Sequence, residues 1–132
     1  MSTFTEKLYG ILKNDSGVAA IVSDRIHVEF AAEDALPYVT FFIVSDNNVQ
    51  GLGVRSDRQG PIRVQIDCYS NSLSEVHALA GAVKSAMNFS DTQCTIRVES
   101  SSDAGGFAAE GENAVIRRKT IDVVAFCDVA LT

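Results

Sequence analysis

The first fourteen residues place apolar side chains at helical spacing: Phe4, Leu8, Ile11 and Leu12 share one face, with Glu6, Lys7 and Lys13 off it. Thr3 precedes Glu6 by three residues, the capping-box spacing in which the threonine oxygen accepts from the glutamate amide while the glutamate reaches back. An amphipathic helix ending near Asn14 and Asp15 follows. Ser16 is placed to cap a second, shorter helix through Val18, Ala19, Ile21 and Val22, too short to stand without packing. From Arg25 to Phe30 the period drops to two, with Ile26, Val28 and Phe30 alternating against His27 and Glu29, which predicts a short edge strand. Residues 31–35 read as an acidic loop. Leu36-Pro37 leads into an extended segment, and Tyr38 to Val44 is β-branched and aromatic on both parities, so that strand is central or covered by a partner.

Residues 45–60 are polar and glycine-punctuated, long for a hairpin connection, and carry Arg55 and Arg58. Pro61 to Tyr69 alternates cleanly: Ile62, Val64, Ile66 and Cys68 on one face, Arg63, Gln65, Asp67 and Tyr69 on the other. A second capping box, Ser72 to Glu75, opens a helix with the inward stripe Val76, Ala80, Val83 and Met87, widened by Leu73 and Leu79. Its alanines and Gly81 are expected to let it approach a sheet closely. After a break at 88–93, Thr95 to Glu99 alternates with Ile96 and Val98 inward, and 100–113 reads as a flexible acidic arm of small residues around Phe107. The last strand, about 114–129, sets Ile121, Val123, Ala125, Cys127 and Val129 on one face. Arg117 and Lys119 share that parity, so the strand start either bulges or projects past the core; projection is the expectation, giving a long C-terminal hairpin. The order of elements predicts an α+β fold: a mostly antiparallel sheet of four to five strands, with two main helices on one face. The other face, with Phe42, Val44, Val124 and Phe126, lacks a cover from this chain and implies a partner or another copy.

Length and composition narrow the class. At 132 residues, 46% hydrophobic and 21% charged, the chain suits one domain over 1–132 and argues against disorder. Seventeen acids against eleven bases give a net charge of −6, the wrong sign for strong nucleic-acid binding. The opening residues place Glu6 and Lys7 where a signal peptide needs an apolar block, and no apolar run is long enough for a membrane span. Three cysteines (Cys68, Cys94, Cys127) cannot all pair and show no zinc spacing. Cys68 and Cys127 read as small buried hydrophobes, so a reducing agent is expected to leave thermal stability unchanged.

No catalytic, cofactor or metal constellation emerges. His27 and His77 each stand alone, no G-x-S-x-G elbow occurs, and Gly51-Leu52-Gly53 and Gly105-Gly106 lack the contexts of nucleotide loops. Charge is nevertheless segregated: Arg55 and Arg58 in the first long excursion, Asp103, Glu110 and Glu112 in the second, and Arg117-Arg118-Lys119 at the start of the last strand. These residues, with Phe107, are the candidate subunit or partner interface.

Leu8-Tyr9 with Ile11-Leu12, Asp24-Arg25-Ile26-His27, Leu36-Pro37-Tyr38-Val39 and Arg63-Val64-Gln65-Ile66-Asp67-Cys68-Tyr69, followed by the helix from Ser74-Glu75, appear in an order and spacing that resembles one family. It is similar to the tail-completion proteins of long-tailed bacteriophages, small tail terminators or head-tail joining proteins, over about residues 5–88. The resemblance implies a non-enzymatic virion protein without cofactors, assembled in the host cytoplasm as a ring, usually hexameric, at the head-proximal end of the tail. Its implied partners are other copies of itself, the tail tube protein and the head connector, with DNA passing through unbound and no membrane involved. A head-closure or neck adaptor binding the portal complex is the alternative within the same setting. A small ligand-binding domain or enzyme is the alternative outside it.

Overall fold

The computed structural model describes residues 3–29, 36–46, 58–108 and 115–128, with the side chains of 46, 58–60, 104–108, 115 and 128 left aside. Helices α1 (Phe4–Asn14) and α2 (Ser16–Val22) precede β1 (Ile26–Val28), β2 (Tyr38–Asp46) and β3 (Arg58–Ser70). Helix α3 (Leu73–Ala86) then leads to β4 (Phe89–Ser90), β5 (Cys94–Ala108) and β6 (Val115–Asp128). The strands form one six-stranded sheet in the order β1-β2-β3-β6-β5-β4. The α+β class agrees with the sequence pattern; the number of strands does not. The additional strand is β4, whose two residues pair Phe89 with Ile96 and Ser90 with Thr95 and are too few to show a period. The sheet is antiparallel except where β1 runs parallel to β2, Ile26 beside Val39.

One core lies between the helices and one face of this sheet. Phe4, Leu8 and Leu12 of α1, Val18 and Val22 of α2, and Val76, Leu79, Ala80 and Val83 of α3 meet Val39, Phe41, Ile62, Val64, Ile66, Ile96, Ile121, Val123 and Ala125 from the strands. The alternation read in β3 and β6 therefore identifies the apolar face that is buried. Two apparent signals are corrected. Leu73 is 51% exposed, because it starts α3 before the helix reaches the sheet. Gly81 is exposed, and a Cβ there would meet nothing within 4 Å, so it plays no part in close packing. The tight approach is instead at Gly17, where a Cβ would stand 3.5 Å from the Ala82 Cβ of α3 and 3.3 Å from an Asp15 oxygen.

Helix ends follow local chemistry. The Glu6 amide donates to Thr3 Oγ1 at 3.1 Å. Asp15, rather than Ser16, caps α2: its extended backbone closes α1, and its Oδ2 accepts from the Val18 amide at 3.0 Å. At α3 the Glu75 amide donates to Ser72 Oγ at 3.4 Å, but the Glu75 carboxylate accepts from Ser70 Oγ at 2.7 Å. Ser70 is fully buried, so the glutamate satisfies a hydroxyl that water does not reach.

The arm expected to be loose from residue 100 onward is strand as far as Ala108. Its small residues carry no period of their own, but pairing with β6 supplies their backbone partners, Ser101 to Ile121, Asp103 to Lys119, Phe107 to Ile116. Bulges fall on this stretch, between Val98 and Ser100 and between Asp103 and Gly106. β6 runs through Arg117 and Lys119 and outlasts its pairing with β3, which ends at Ser70 opposite Arg117. The cysteine reading is also corrected: Cys94 and Cys127 stand opposite each other, buried, and are joined by a disulfide. The sequence pattern gives Cys127 an inward face and Cys94 none, and only the pairing of β5 with β6 in this register brings the two together.

Candidate assembly surface

All three helices lie on one side, and among the described residues no helix covers the other face of the sheet. Tyr38, Thr40 and Phe42 of β2, Arg63, Gln65, Asp67 and Tyr69 of β3, and Arg118, Thr120, Asp122, Val124 and Phe126 of β6 belong to that open face by alternation. Its centre is polar yet buried: Thr40 and Asp67 are 4% and 5% exposed. Thr120 Oγ1 donates to Asp67 Oδ1 at 2.6 Å, and Gln65 Nε2 donates to Oδ2 at 3.1 Å and Oδ1 at 3.3 Å. A carboxylate in this position is tolerated because donors surround it. The polar parity of Asp67 was legible in the sequence, but its burial was not, since it depends on neighbouring strands.

Two corners flank this centre. At one, Tyr38 and Tyr69 stack at 4.7 Å between centroids, His27 meets Tyr38 edge-on at 6.4 Å, and Arg118 lies directly opposite Tyr69. Arg118 Nε is buried without an acceptor. Toward the other end, Arg63 Nη1 donates to both oxygens of Glu99, at 2.7 and 2.8 Å, and Ser100 Oγ donates to Asp122 at 3.1 Å. Beside the sheet, Val28, Ile43 and Val44 are exposed hydrophobics, and Val28, Glu29, Phe42, Ile43 and Thr5 line a groove of about 390 Å³.

The predicted interface residues are divided by the fold. Asp103 and Lys119 meet within one chain, Nζ to Oδ1 at 3.2 Å, with His77 Nε2 3.5 Å from the same oxygen. The hydrogen bond from Lys119, helped by its charge and by His77, holds the Asp103 carboxyl below its ordinary value. Parity places Lys119 on the helix side and Arg118 on the open face, while Arg117 is exposed at the strand end. Arg58 begins β3 and Phe107 lies in β5, opposite Ile116; their side chains, and residues Arg55, Glu110 and Glu112 altogether, lie outside the described set.

Burial pushes the Cys68 thiol up to about 12, with the Asp67 charge adding to it and Lys119 opposing, so it is a protonated core residue. A polar groove of about 590 Å³ between α1 and the end of α3 includes Lys7 and Asp15. Both are engaged: Lys7 Nζ donates to Asp91 at 2.6 Å and Gln93 at 2.9 Å and sits over the Phe89 ring, and Asp15 caps α2. Among the described residues no three His, Cys, Asp or Glu side chains gather as a metal site, and no helix is long and apolar enough to cross a membrane.

The family model for Tail completion protein gp17 matches residues 6–115, from the first turn of α1 through β5 to the opening of β6. The chain belongs to that family. This extends the likeness of residues 5–88 to the first residue of β6, and the tail completion family is one of structural phage tail proteins. Among solved structures, a chain from the virion of a native gene transfer agent particle shares the fold at a TM-score of 0.54, with 16% identity over 92% of this chain and 91% of that one. No curated protein matches the sequence.

Proposed function

We propose that this tail completion protein is a virion component that closes the head-proximal end of a phage tail as a ring, with residues 1–132 acting as one structural unit and without catalysis. The observation that carries the reading is the one-sided fold: helices cover one face of the sheet, while the other face and the apolar corner at Val28, Ile43 and Val44 are left for contact. In this reading copies pack heterologously, each offering different surfaces to its two neighbours, so that rotation closes a ring, of six copies by family resemblance. Asp103 and Lys119 are already paired in the chain. The charges proposed to cross between copies are therefore Glu110 and Glu112 on one side and Arg117, Arg118, Arg55 or Arg58 on the other, with Phe107 beside them. The tail tube protein and the head connector are the proposed axial partners, and the acidic balance suits a conduit that DNA passes without sticking.

Electron microscopy of the purified protein, alone and mixed with tail tubes, tests this. Rings capping one tube end are the expected result. A strict monomer, both in solution and in tail particles, overturns it.

A further inference from the structure

Two short free edges lie at different corners of the sheet. On the β2 side, β1 pairs only as far as Val28 opposite Phe41, and Glu29, whose amide donates to the Phe41 carbonyl at 2.7 Å, leaves the strand conformation at φ 72°. β2 continues along Phe42 and Ile43 to the bulge before Ser45 with no described strand on its outer side. The groove lined by Thr5, Val28, Glu29, Phe42 and Ile43 lies here, beside the exposed Val44, and Glu29 is its one charged lining residue. At the other corner, β6 starts at Val115 but pairs with β3 only from Arg117 opposite Ser70. Val115 and Ile116 therefore project past β3, paired with β5 alone, with Ile116 half-buried and Arg117 exposed. Among the described residues neither Glu29 nor Arg117 joins an ion pair. The two corners do not meet within one chain. Arg117 stands level with the Tyr38 end of β2, by way of Ser70 and Tyr69, with β3 between them. Ile43 lies about 17 Å further along β2 at about 3.4 Å per residue.

We propose that the groove at Val28 and Ile43 receives the projecting end of β6 from a second copy of this chain, with Ile116 in the groove and Arg117 against Glu29. The inference rests on the ring reading and deepens it by naming both halves of one contact. Charge and shape select another copy as the occupant. The groove is apolar with a single acid at its rim, and the projecting end is apolar with a base next to it. Both free edges are short, and an extended segment laid along a strand edge sends alternate side chains to its two sides, as the groove between Phe42 and Ile43 requires. Of the basic run, Lys119 is bound to Asp103 and Arg118 is half-buried on the open face, so Arg117 is the residue at liberty to pair. Because groove and projecting end are different patches of one molecule, the contact is heterologous and passes from copy to copy, as a closed ring requires. The acid at the rim disfavours a nucleic-acid phosphate as occupant.

The test uses the full chain, with assembly followed by sedimentation velocity in solution and by electron microscopy on tail tubes, and folding by circular dichroism. Folded Arg117→Glu and Glu29→Arg are each expected to weaken assembly roughly tenfold at low salt, since an attraction becomes a repulsion, and the two changes combined in one chain should restore it. An equimolar mixture of Ile116→Cys and Ile43→Cys chains, oxidised with copper phenanthroline, should give a cross-linked dimer on a non-reducing gel that neither variant gives alone. Ring assembly by the parent, with folded charge variants that assemble like it or with no cross-link in the mixture, overturns the docking and leaves the ring. A parent that is monomeric in solution and in tail particles overturns the ring reading and the docking with it. Charge variants that lose tail-tube binding while self-assembly stays intact assign this corner to the tube protein and overturn the proposal.

Discussion

Cys94 on β5 and Cys127 on β6 face each other with Cα atoms 4.1 Å apart and are joined by a disulfide across a sequence separation of 33 residues. The bond staples the first residue of β5 to the end of β6, where the hairpin borders the core beneath α3.

Reduction should therefore lower stability, the reverse of what the odd number of cysteines suggests. Closing a loop of this length stabilises by about 3 to 5 kcal/mol in the chain-entropy model, which corresponds to a drop in Tm of roughly 10 °C or more on reduction for a chain of this size. Differential scanning fluorimetry with and without reductant measures it. Cys94→Ala should abolish the reductant effect and Cys68→Ala should leave it in place. Equal melting curves for the parent in both conditions would count against the disulfide.

Stability should also fall in acid. Burial alone would raise the Asp91 carboxyl, but the hydrogen bond from Lys7 and those from the Cys94 and Gln93 amides outweigh it and hold it below the ordinary value. Asp103 is held down by Lys119. A depressed folded-state value means that the stabilisation is present above the unfolded carboxylate pKa and is lost as pH falls through the folded one. Urea titrations from neutral pH down to about pH 2 should show this loss. Lys7→Met should reduce the loss, and by no more than about 1 kcal/mol, since the pair is solvent-screened.

The buried carboxylate on the open face gives a sharper test. Thr120→Val removes the 2.6 Å donor to Asp67 while nearly preserving shape. The expected destabilisation is about 1 to 3 kcal/mol. Denaturant midpoints of Thr120→Val and Thr120→Ser separate the lost hydroxyl from the altered packing, and the serine variant should retain most of the stability.

Two leucines of the helix layer should behave oppositely. Leu8 is fully buried, so Leu8→Ala should cost about 2 to 5 kcal/mol. Leu73 is 51% exposed, and Leu73→Ala should stay within about 0.5 kcal/mol of the parent. Similar losses at both positions would mean that α3 begins closer to the sheet than described.

What the sequence made legible is what repeats locally. Phe4, Leu8 and Leu12 identify the buried face of α1, and Ile62, Val64, Ile66 and Cys68 that of β3, because period and burial are properties of single elements. Pairing is not local. The continuation of β5 through Ser100 to Ala108, the two-residue β4 and the Cys94–Cys127 bond all depend on a neighbouring strand's register. Of the candidate interface, the charge segregation was readable, but its division was not. Arg118 and Lys119 are adjacent in sequence, and only the sheet shows that one joins Asp103 while the other lacks an acceptor for its Nε.

The bulges in β5 carry a consequence for growth. A straight, apolar edge strand is a template on which any extended chain adds through its main chain, without regard to identity and without end. Beyond the two residues paired with β4, β5 is interrupted twice and bears Arg97, Glu99 and Asp103, all exposed. Such an edge resists strand addition, which leaves recognition on this side to side chains that distinguish one partner from another. Contacts of that kind have a definite number and orientation, whereas main-chain pairing along a free edge repeats without limit.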